Sequence, residues 1–197
     1  MSRARVGLIG LVVLATALLP TTAGAKKATT GRSPCTSAYV DMDNNGACTA
    51  GDLPLDPLLR IQPYFDESQA VGAYTPPGHP VSIVLDNYRP NRRQSLDLKV
   101  SGNLWISGNT MIQGAVYTRV KGDINIADGT RIFARYYLDL NNSWYWQPAH
   151  ALNIGNGVTI NMPHNLGTLI LYAEQIHIGT GFRFTGQTMY KTETGAP

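Results

Sequence analysis

A nine-residue pattern that occurs four times constrains the fold of this chain more than any other feature. The four segments, 104–112, 124–132, 152–160 and 176–184, align without gaps. Each alternates apolar and polar residues, bends at a small residue followed by a turn residue, and then resumes the alternation. The pattern predicts two short strands that meet at a corner. The segments start 20, 28 and 24 residues apart, which is too far for tight hairpins but suits successive circuits of a solenoid.

The gapless alignment also predicts which side chains stack. Three interior columns are expected: Leu104, Ile124, Leu152 and Ile176; Ile106, Ile126, Ile154 and Ile178; and Ile112, Ile132, Ile160 and Phe184. Two outward columns are expected: Trp105, Asn125, Asn153 and His177, and Met111, Arg131, Thr159 and Arg183. The apolar run 81–85 predicts the start of an earlier coil. One repeat cannot bury its apolar edge, so stacking supplies the core.

These coils resemble right-handed parallel β-helix proteins, a group that includes pectate-lyase-like polysaccharide lyases, surface adhesins and the shorter-coiled bactofilins. The resemblance covers residues 81–188 and rests on the pattern. It implies an all-β fold, a single-stranded parallel β-helix of about four or five coils. The alternative is an antiparallel sandwich, which is also built from short alternating strands.

The first 25 residues are typical of a cleavable signal peptide. Arg3 and Arg5 precede an apolar stretch at 6–19, and small residues follow at 23–25. Of the 16 basic residues, cleavage would leave 14 against 13 acidic ones, a net charge of +1. This balance predicts no nucleic-acid partner. We expect a secreted, periplasmic or cell-envelope protein without a membrane span after cleavage; the alternative is a retained anchor. The cytoplasmic bactofilins are disfavoured by this signal.

The chain has only two cysteines, Cys35 and Cys48. Export places them in an oxidising compartment, where two thiols usually pair, so a disulfide is predicted. The alternative is a pair of free or metal-binding thiols.

Residues 41–52 match the twelve-residue template of a calcium-binding loop. The ligand positions are filled by Asp41, Asp43, Asn45, the Ala47 carbonyl, Thr49 and Asp52, with Gly46 at the sharp turn. Asp replaces Glu at the last position and is one methylene shorter, so we expect weaker binding or more bound water. Pro54 and Pro57 would interrupt a following helix, so a helix-loop-helix unit is not expected.

The segments 39–46 and 51–55 resemble the strand-borne calcium loops of bacterial cell-surface B-type repeats, and more loosely dockerin and thrombospondin type 3 loops. The resemblance implies structural calcium. The alternative is an Asn, Asp and Gly turn that binds no ion.

These observations divide the chain into a signal peptide at 1–25, a calcium-loop and disulfide cap with its linker at 26–80, a parallel β-helix at 81–188 and a polar tail at 189–197. Within the cap, 54–62 is expected to form one short helix and 74–80 a stiff linker. Only the polar tail would cover the last coil, which makes self-association a further option.

The gap between the second and third repeats is an inserted loop rich in aromatic residues. Its rings are candidates for carbohydrate contact, because flat rings stack on sugars: Tyr136, Tyr137, Trp144, Tyr145 and Trp146. The alternative is that the two Trp side chains pack down and cover one side of the solenoid. Asn141 begins a glycosylation sequon that matters only in a eukaryotic source.

Catalytic residues are not apparent in the sequence. The acids noted in the repeat body, Asp123, Asp128, Asp139 and Glu174, are scattered, and the four histidines lie in no known catalytic motif. The sequence therefore predicts a secreted or envelope protein without catalysis, with structural calcium, that serves adhesion, surface structure or carbohydrate binding. Its expected partner is a polysaccharide or cell-surface component. The alternative is a carbohydrate-active enzyme on the same scaffold.

Overall fold

The computed structural model describes residues 35–61, 64–67, 80–90, 95–144, 147–148, 150–163 and 167–193. The predicted signal peptide and most of the predicted linker lie outside these residues. The described backbone is mostly β-strand with one short helix, so the all-β class is confirmed.

The elements follow one another as β1 (Ala38–Asp41), β2 (Leu53–Pro54), α1 (Asp56–Ile61), β3 (Tyr64–Asp66), β4 (Ser82–Asp86), β5 (Leu96–Val100), β6 (Leu104–Ser107), β7 (Asn109–Ile112), β8 (Ala115–Val120), β9 (Ile124–Ile126), β10 (Arg131–Ala134), β11 (Tyr137–Asn141), β12 (Ser143–Trp144), β13 (Gln147–Pro148), β14 (Ala151–Ile154), β15 (Thr159–Asn161), β16 (Thr168–Ala173), β17 (Gln175–Ile178), β18 (Arg183–Thr185) and β19 (Thr188–Glu193). The predicted helix at 54–62 is therefore present but shorter, because Leu53 and Pro54 pair with β1 instead.

Most strands belong to three sheets. The first sheet orders β2, β1, β4, β6, β9, β14 and β17; the second orders β7, β10, β15 and β18; the third orders β3, β5, β8, β11, β16 and β19. In the first sheet β1 pairs antiparallel with β2 and β4, and all other pairings in the three sheets are parallel. The antiparallel sandwich considered from the sequence is therefore wrong.

The chain visits the three sheets in the same order four times. We call each visit a repeat unit: β6–β7–β8, β9–β10–β11, β14–β15–β16 and β17–β18–β19. Connections between parallel strands of one sheet must cross over, and here the other two sheets supply the crossover.

The register confirms the first two interior columns and corrects the third. Leu104, Ile124, Leu152 and Ile176 lie opposite one another, as do Ile106, Ile126, Ile154 and Ile178. In the second sheet, however, Ile132 lies opposite Thr110, and Ile112 lies opposite Ala134. The corner of the first unit is Gly108 alone, whereas residues 127–130 separate the corresponding strands of the second unit. The gapless alignment therefore placed β7 two residues out of register.

The longer corners stack on one another through hydrogen bonds. The Asp128 side chain accepts the Asn156 N–H at 2.7 Å, and the Asn156 side chain accepts the Thr180 N–H at 2.9 Å. Gly129 and Gly157 adopt positive φ angles of 68° and 67°, which other residues tolerate poorly. The Gly129 N–H donates to the Asn156 carbonyl at 2.7 Å. These corners explain the Asp/Asn-Gly feature of the repeat.

The core lies between the three sheets. It is built from the interior columns and from alternate residues of the third sheet, including Leu98, Val116, Leu138 and Leu169. Burial of such side chains stabilises a fold by roughly 1.5–3 kcal/mol each.

Two expected segment boundaries differ from the structure. Strand β3 lies within the predicted cap but pairs in parallel with β5 of the third sheet. Strand β19 continues to Glu193, inside the predicted polar tail, because its backbone pairs along the full length of β16. Backbone pairing does not require apolar side chains, so polarity alone did not reveal this strand.

Candidate functional site

The loop between β1 and β2 brings three carboxylates together. Asp41 ends β1, Asp52 immediately precedes β2, and Asp43 lies between them. Oxygen atoms of the three side chains lie within 4.8 Å of one another. Asp41 and Asp52 are only 2% and 4% exposed. Burial of acidic groups at such short range is unfavourable unless hydrogen bonds or a cation compensate.

Backbone hydrogen bonds hold the two buried carboxylates in place. Asp41 accepts the N–H groups of Asn45 at 3.2 Å and Gly46 at 2.7 Å. Asp52 accepts those of Met42 at 2.9 Å and Thr49 at 2.7 Å. The carboxylates thus fix both ends of the loop. Each carboxylate oxygen has more than one acceptor direction, so these bonds leave capacity for an ion.

The remaining predicted ligands lie in the same loop. The Asn45 amide donates to Asp43 at 2.7 Å, and its oxygen accepts the Ala47 N–H at 2.7 Å. The Thr49 carbonyl accepts the Asp52 N–H at 3.3 Å. The donor set consists of hard oxygen atoms, which could hold a hard cation rather than a softer metal.

The electrostatics of the loop reflect its concentrated negative charge. Burial raises the pKa of Asp41, backbone hydrogen bonds from Gly46 and Asn45 oppose that shift, and the charge of Asp52 adds to it. The adjacent Tyr39 has its pKa raised to about 12, first by burial and then by nearby carboxylates, Asp52 most strongly. A divalent cation would relieve this potential.

The predicted disulfide between Cys35 and Cys48 is present, with the Cα atoms 5.9 Å apart. The alternative of free or metal-binding thiols is therefore wrong. The Cys35 sulfur lies 3.8 Å from the Asp52 carboxylate, so the bridge packs against the last residue of the calcium template.

The loop docks on the first sheet of the body. A side chain at Gly46, where φ is +72°, would meet the Trp105 indole at 3.0 Å. The neighbouring Asn44 side chain accepts hydrogen bonds from the Ser82 hydroxyl at 2.7 Å and the Asn103 amide at 3.1 Å. Sequence reasoning placed Trp105 in an outward column but did not anticipate that the loop would cover it.

The predicted aromatic site is described only in part. Tyr136 is 40% exposed, with the Arg135 guanidinium 5.1 Å from its ring centre. Tyr137 packs beside Tyr117 with ring centres 5.3 Å apart. The Trp144 side chain, Tyr145 and Trp146 lie outside the described residues. The structure thus brings Tyr137 to the third sheet and leaves Tyr136 accessible.

The base of the aromatic loop is held by a buried amide. Asn142 is fully buried; its amide donates to the Gly122 and Ala151 carbonyls at 2.6 and 3.1 Å, and its oxygen accepts the His150 N–H at 2.7 Å. The sequon residue Asn141 is the last residue of β11. Sequence reasoning missed the role of Asn142, which a polar residue at the end of an alternating strand could have signalled.

The outer face of the third sheet carries two acids that the nine-residue pattern does not bring together. Asp97 and Asp139 both lie opposite Tyr117, one on each side. Burial raises the pKa of Asp97 and raises that of Asp139 to about 6, while Arg119 opposes both shifts. Both acids have an Oδ1 atom that is buried without a hydrogen-bond partner among the described residues.

These two acids were missed for an identifiable reason. Strands β5, β8 and β11 fall outside the nine-residue pattern, so that pattern predicts no register that would bring Asp97 and Asp139 together. The alternation in 96–100 and 115–120 was the available signal. A carboxyl group with a raised pKa can donate a proton near neutral pH, which is the requirement for a general acid.

Comparison of the chain with protein-family models, with curated proteins and with solved structures found no match. Among the described residues, no helix has the length and apolar character needed to cross a membrane. The disulfide fits an extracytoplasmic location.

Proposed function

We propose that this protein is a secreted or cell-envelope parallel β-helix without catalysis, stabilised by calcium and used in adhesion, surface structure or carbohydrate binding. The observation that carries the proposal is the position of the converging carboxylates. They lie in a loop that docks on the body through Gly46 and Asn44, at the start of the stack. An ion there would brace the fold rather than meet a substrate.

The β-helix reading is supported by the order of the sheets. Each repeat unit contributes one strand to each sheet, and corresponding side chains stack in register from unit to unit. With the earlier strands β4 and β5, these units give about four or five coils.

Calcium would be held by the side chains of Asp41, Asp43, Asn45 and Asp52, with the Ala47 carbonyl and Thr49 completing the template. Bound ion would neutralise the charge that now acts on Tyr39. Because Asp52 is short and both of its oxygens accept backbone hydrogen bonds, we expect affinity in the range of extracellular calcium modules, about 10⁻⁴–10⁻³ M.

The test of the calcium site is a thermal melt of the mature protein with calcium and with chelator, paired with calorimetric titration. We expect calcium to raise the Tm and to release saturable heat, and Asp41→Asn to abolish both effects. Asp128→Asn is the matched control, because that exposed corner acid loses its charge but keeps a hydrogen-bond acceptor. Identical melts with and without chelator, together with no heat of binding, would remove calcium from the proposal.

The partner we propose is a polysaccharide or cell-surface component. The exposed ring of Tyr136 beside Arg135 supports this choice, since an accessible aromatic face with an adjacent cation suits a polar sugar. Size-exclusion chromatography with light scattering, run on mixtures with soluble polysaccharides, should show protein that co-elutes with polymer of unchanged mass.

A carbohydrate-active enzyme is the second candidate, and the observation that favours it is the pair Asp97 and Asp139 on one sheet face, both with raised pKa values. In this case the polymer would lose mass with time, and Asp139→Asn would stop the loss. Tyr117 lies between the acids, which argues against their acting on one bond.

A further inference from the structure

A groove on the outer face of the second sheet has no role in the function proposed above. Its volume is about 420 Å³, within the range of ligand sites in proteins. Arg89, Arg131 and Arg183 line it, and no acidic residue stands among the described residues of its wall. The arginines are separated by neutral residues that include Asn109, Thr159 and Phe133.

The arginines occupy alternate levels of the stack. Arg131 of β10 and Arg183 of β18 both lie opposite Thr159 of β15, one on each side. Neighbouring strands are about 4.8 Å apart, so the two Cα atoms are separated by roughly 9.6 Å.

Arg89 continues the same alternation on the other side of β7. The carbonyl of Tyr88 accepts the Met111 N–H of β7 at 2.8 Å, and β7 in turn pairs with β10. Arg89 donates its Nε–H to the Asn109 carbonyl at 3.4 Å. The chain near Arg89 is therefore two levels from Arg131.

These positive charges lack compensation within the described chain. The four ion pairs among the described residues include none of the three arginines. Arg131 and Arg183 are exposed, and neither guanidinium has a hydrogen-bond partner among the described residues. Uncompensated arginines on one surface attract anions, and the guanidinium fork fits carboxylate and sulfate with two parallel hydrogen bonds.

We propose that this groove binds an extended acidic polysaccharide whose chain runs across the strands. In a polysaccharide with an acid on every second sugar, the negative charge recurs once per disaccharide. The length of a disaccharide is close to twice the strand spacing, which is the separation of the arginines. Each arginine pairs with one acid group, Asn109 and Thr159 meet hydroxyls of the intervening sugars, and Phe133 offers a flat apolar face. This inference rests on the carbohydrate-binding part of the proposed function and is independent of calcium.

Nucleic acid fits the groove less well. Single-stranded nucleic acid is bound by successive aromatic rings on which bases stack, and Phe133 is the one aromatic residue among the described residues that line the groove. Phosphates also occur at every nucleotide rather than at alternate units. The disulfide fits an extracytoplasmic setting, where acidic polysaccharides are common polyanions.

The experiment measures binding of the mature protein to hyaluronan oligosaccharides, which carry an acid on every second sugar. Neutral dextran and single-stranded oligo-dT are the comparison ligands, and calorimetry is run at low and physiological salt. We expect binding to hyaluronan that weakens with salt, weaker binding to oligo-dT and none to dextran. Arg131→Gln with Arg183→Gln should weaken hyaluronan binding at least about tenfold.

Two control variants separate the groove from general charge. Arg119→Gln with Lys121→Gln removes the same charge from residues outside the groove and should bind hyaluronan like the unmodified protein. Arg131→Lys with Arg183→Lys keeps the charge but loses the fork, and should give intermediate affinity. Equal binding by the Gln pair, equal loss in both charge-removal variants, no binding to hyaluronan, or preference for oligo-dT would each overturn the proposal.

Failure of this inference is distinguishable from failure of the proposed function. The Gln pair should keep the calcium-dependent Tm, which reports on the cap alone. If Tyr136→Ala abolishes hyaluronan binding while the Gln pair does not, the aromatic site is supported and the groove is refuted. If calcium has no effect but the Gln pair loses binding, the groove is supported and the calcium site is refuted.

Discussion

The two ends of the stacked strands are finished in opposite ways. At the N-terminal end, β1 pairs antiparallel with β4, and Leu55 and Leu59 beside it are fully buried. At the C-terminal end, β17, β18 and β19 each have one neighbour among the described strands. There Met189 and Tyr190 are 43% and 57% exposed. One end is closed by dedicated elements, and among the described residues the other presents open strand edges.

The repeat pattern alone does not bury its own side chains. Ile126 and Ile178 occupy the same interior column, yet Ile126 is 3% exposed and Ile178 is 38% exposed. The sequence pattern is the same at both positions, so the neighbouring unit supplies the burial. At the N-terminal end that neighbour is replaced by a cap, whose disulfide has no counterpart in the repeats.

The largest expected effect tests this column directly. Ile126→Ala should lower the free energy of unfolding by about 2–5 kcal/mol, because it leaves a cavity between two units. Ile178→Ala should cost less than about 1 kcal/mol, because solvent already reaches the side chain. Urea unfolding of the two variants provides the comparison, and equal losses would show that the last unit is packed as tightly as the interior ones.

The next effect concerns the disulfide of the cap. Replacing Cys35 and Cys48 by Ser should destabilise the protein by roughly 3 kcal/mol, the chain-entropy value for a loop of this length. Because Cys35 touches Asp52, we also expect weaker calcium binding. Thermal unfolding and calcium titration measure both. Reduction of the unmodified protein should reproduce the change, and a cap that tolerates the loss would indicate that β1 pairing alone closes this end.

A smaller effect is expected from Asp139 in an interior unit, where burial raises the pKa to about 6. The folded protein then holds this proton more tightly than the unfolded chain does. Its contribution to stability is fully present below the ordinary aspartate pKa and is lost as the pH rises through about 6. Asp139→Asn should remove this pH dependence and stabilise the protein at pH 7 by on the order of 1 kcal/mol, since partial exposure screens the charge.

Unfolding curves measured from pH 4 to pH 7 check the Asp139 prediction. A profile for Asp139→Asn that matches the unmodified protein would show that this carboxyl is not held in its protonated form.

The smallest effect on stability belongs to the open end. Met189→Lys should change the free energy of unfolding by less than about 0.5 kcal/mol, because the side chain is exposed. If the open strand edges associate with a second copy, the same change should reduce the mass seen by light scattering at high protein concentration. An unmodified protein that stays monomeric at every concentration would contradict self-association at this end.

The sequence was sufficient to predict the stacking columns of the first sheet, the corner positions and the disulfide. These features depend on local alternation and on thiol chemistry, which residues reveal directly. The register of β7 was not predictable in the same way, because a gapless alignment assumes corners of equal length and Gly108 forms a shorter one.

The candidate sites show the same limit. Residues 41–52 carry oxygen-bearing side chains at the spacing of the calcium-loop template, so the convergence of Asp41, Asp43 and Asp52 was predictable. The contact between Gly46 and Trp105, and the pairing of Asp97 and Asp139 with Tyr117, join residues distant in sequence or strands outside the repeat. The alternation of Arg131 and Arg183 was visible in one outward column, but the place of Arg89 depends on a segment without repeat character.

The contact between Gly46 and Trp105 allows the cap to be followed by the fluorescence of Trp105. Indole fluorescence depends on the groups that contact the ring. Here the ring lies against the turn of the loop, 3.0 Å from the place where a Cβ atom at Gly46 would stand. A terbium ion held in that loop would receive excitation energy from the indole and emit in the visible range. Replacing Trp105 with Phe would weaken that emission and leave the oxygen donors unchanged, so the indole would report optically whether an ion occupies the loop.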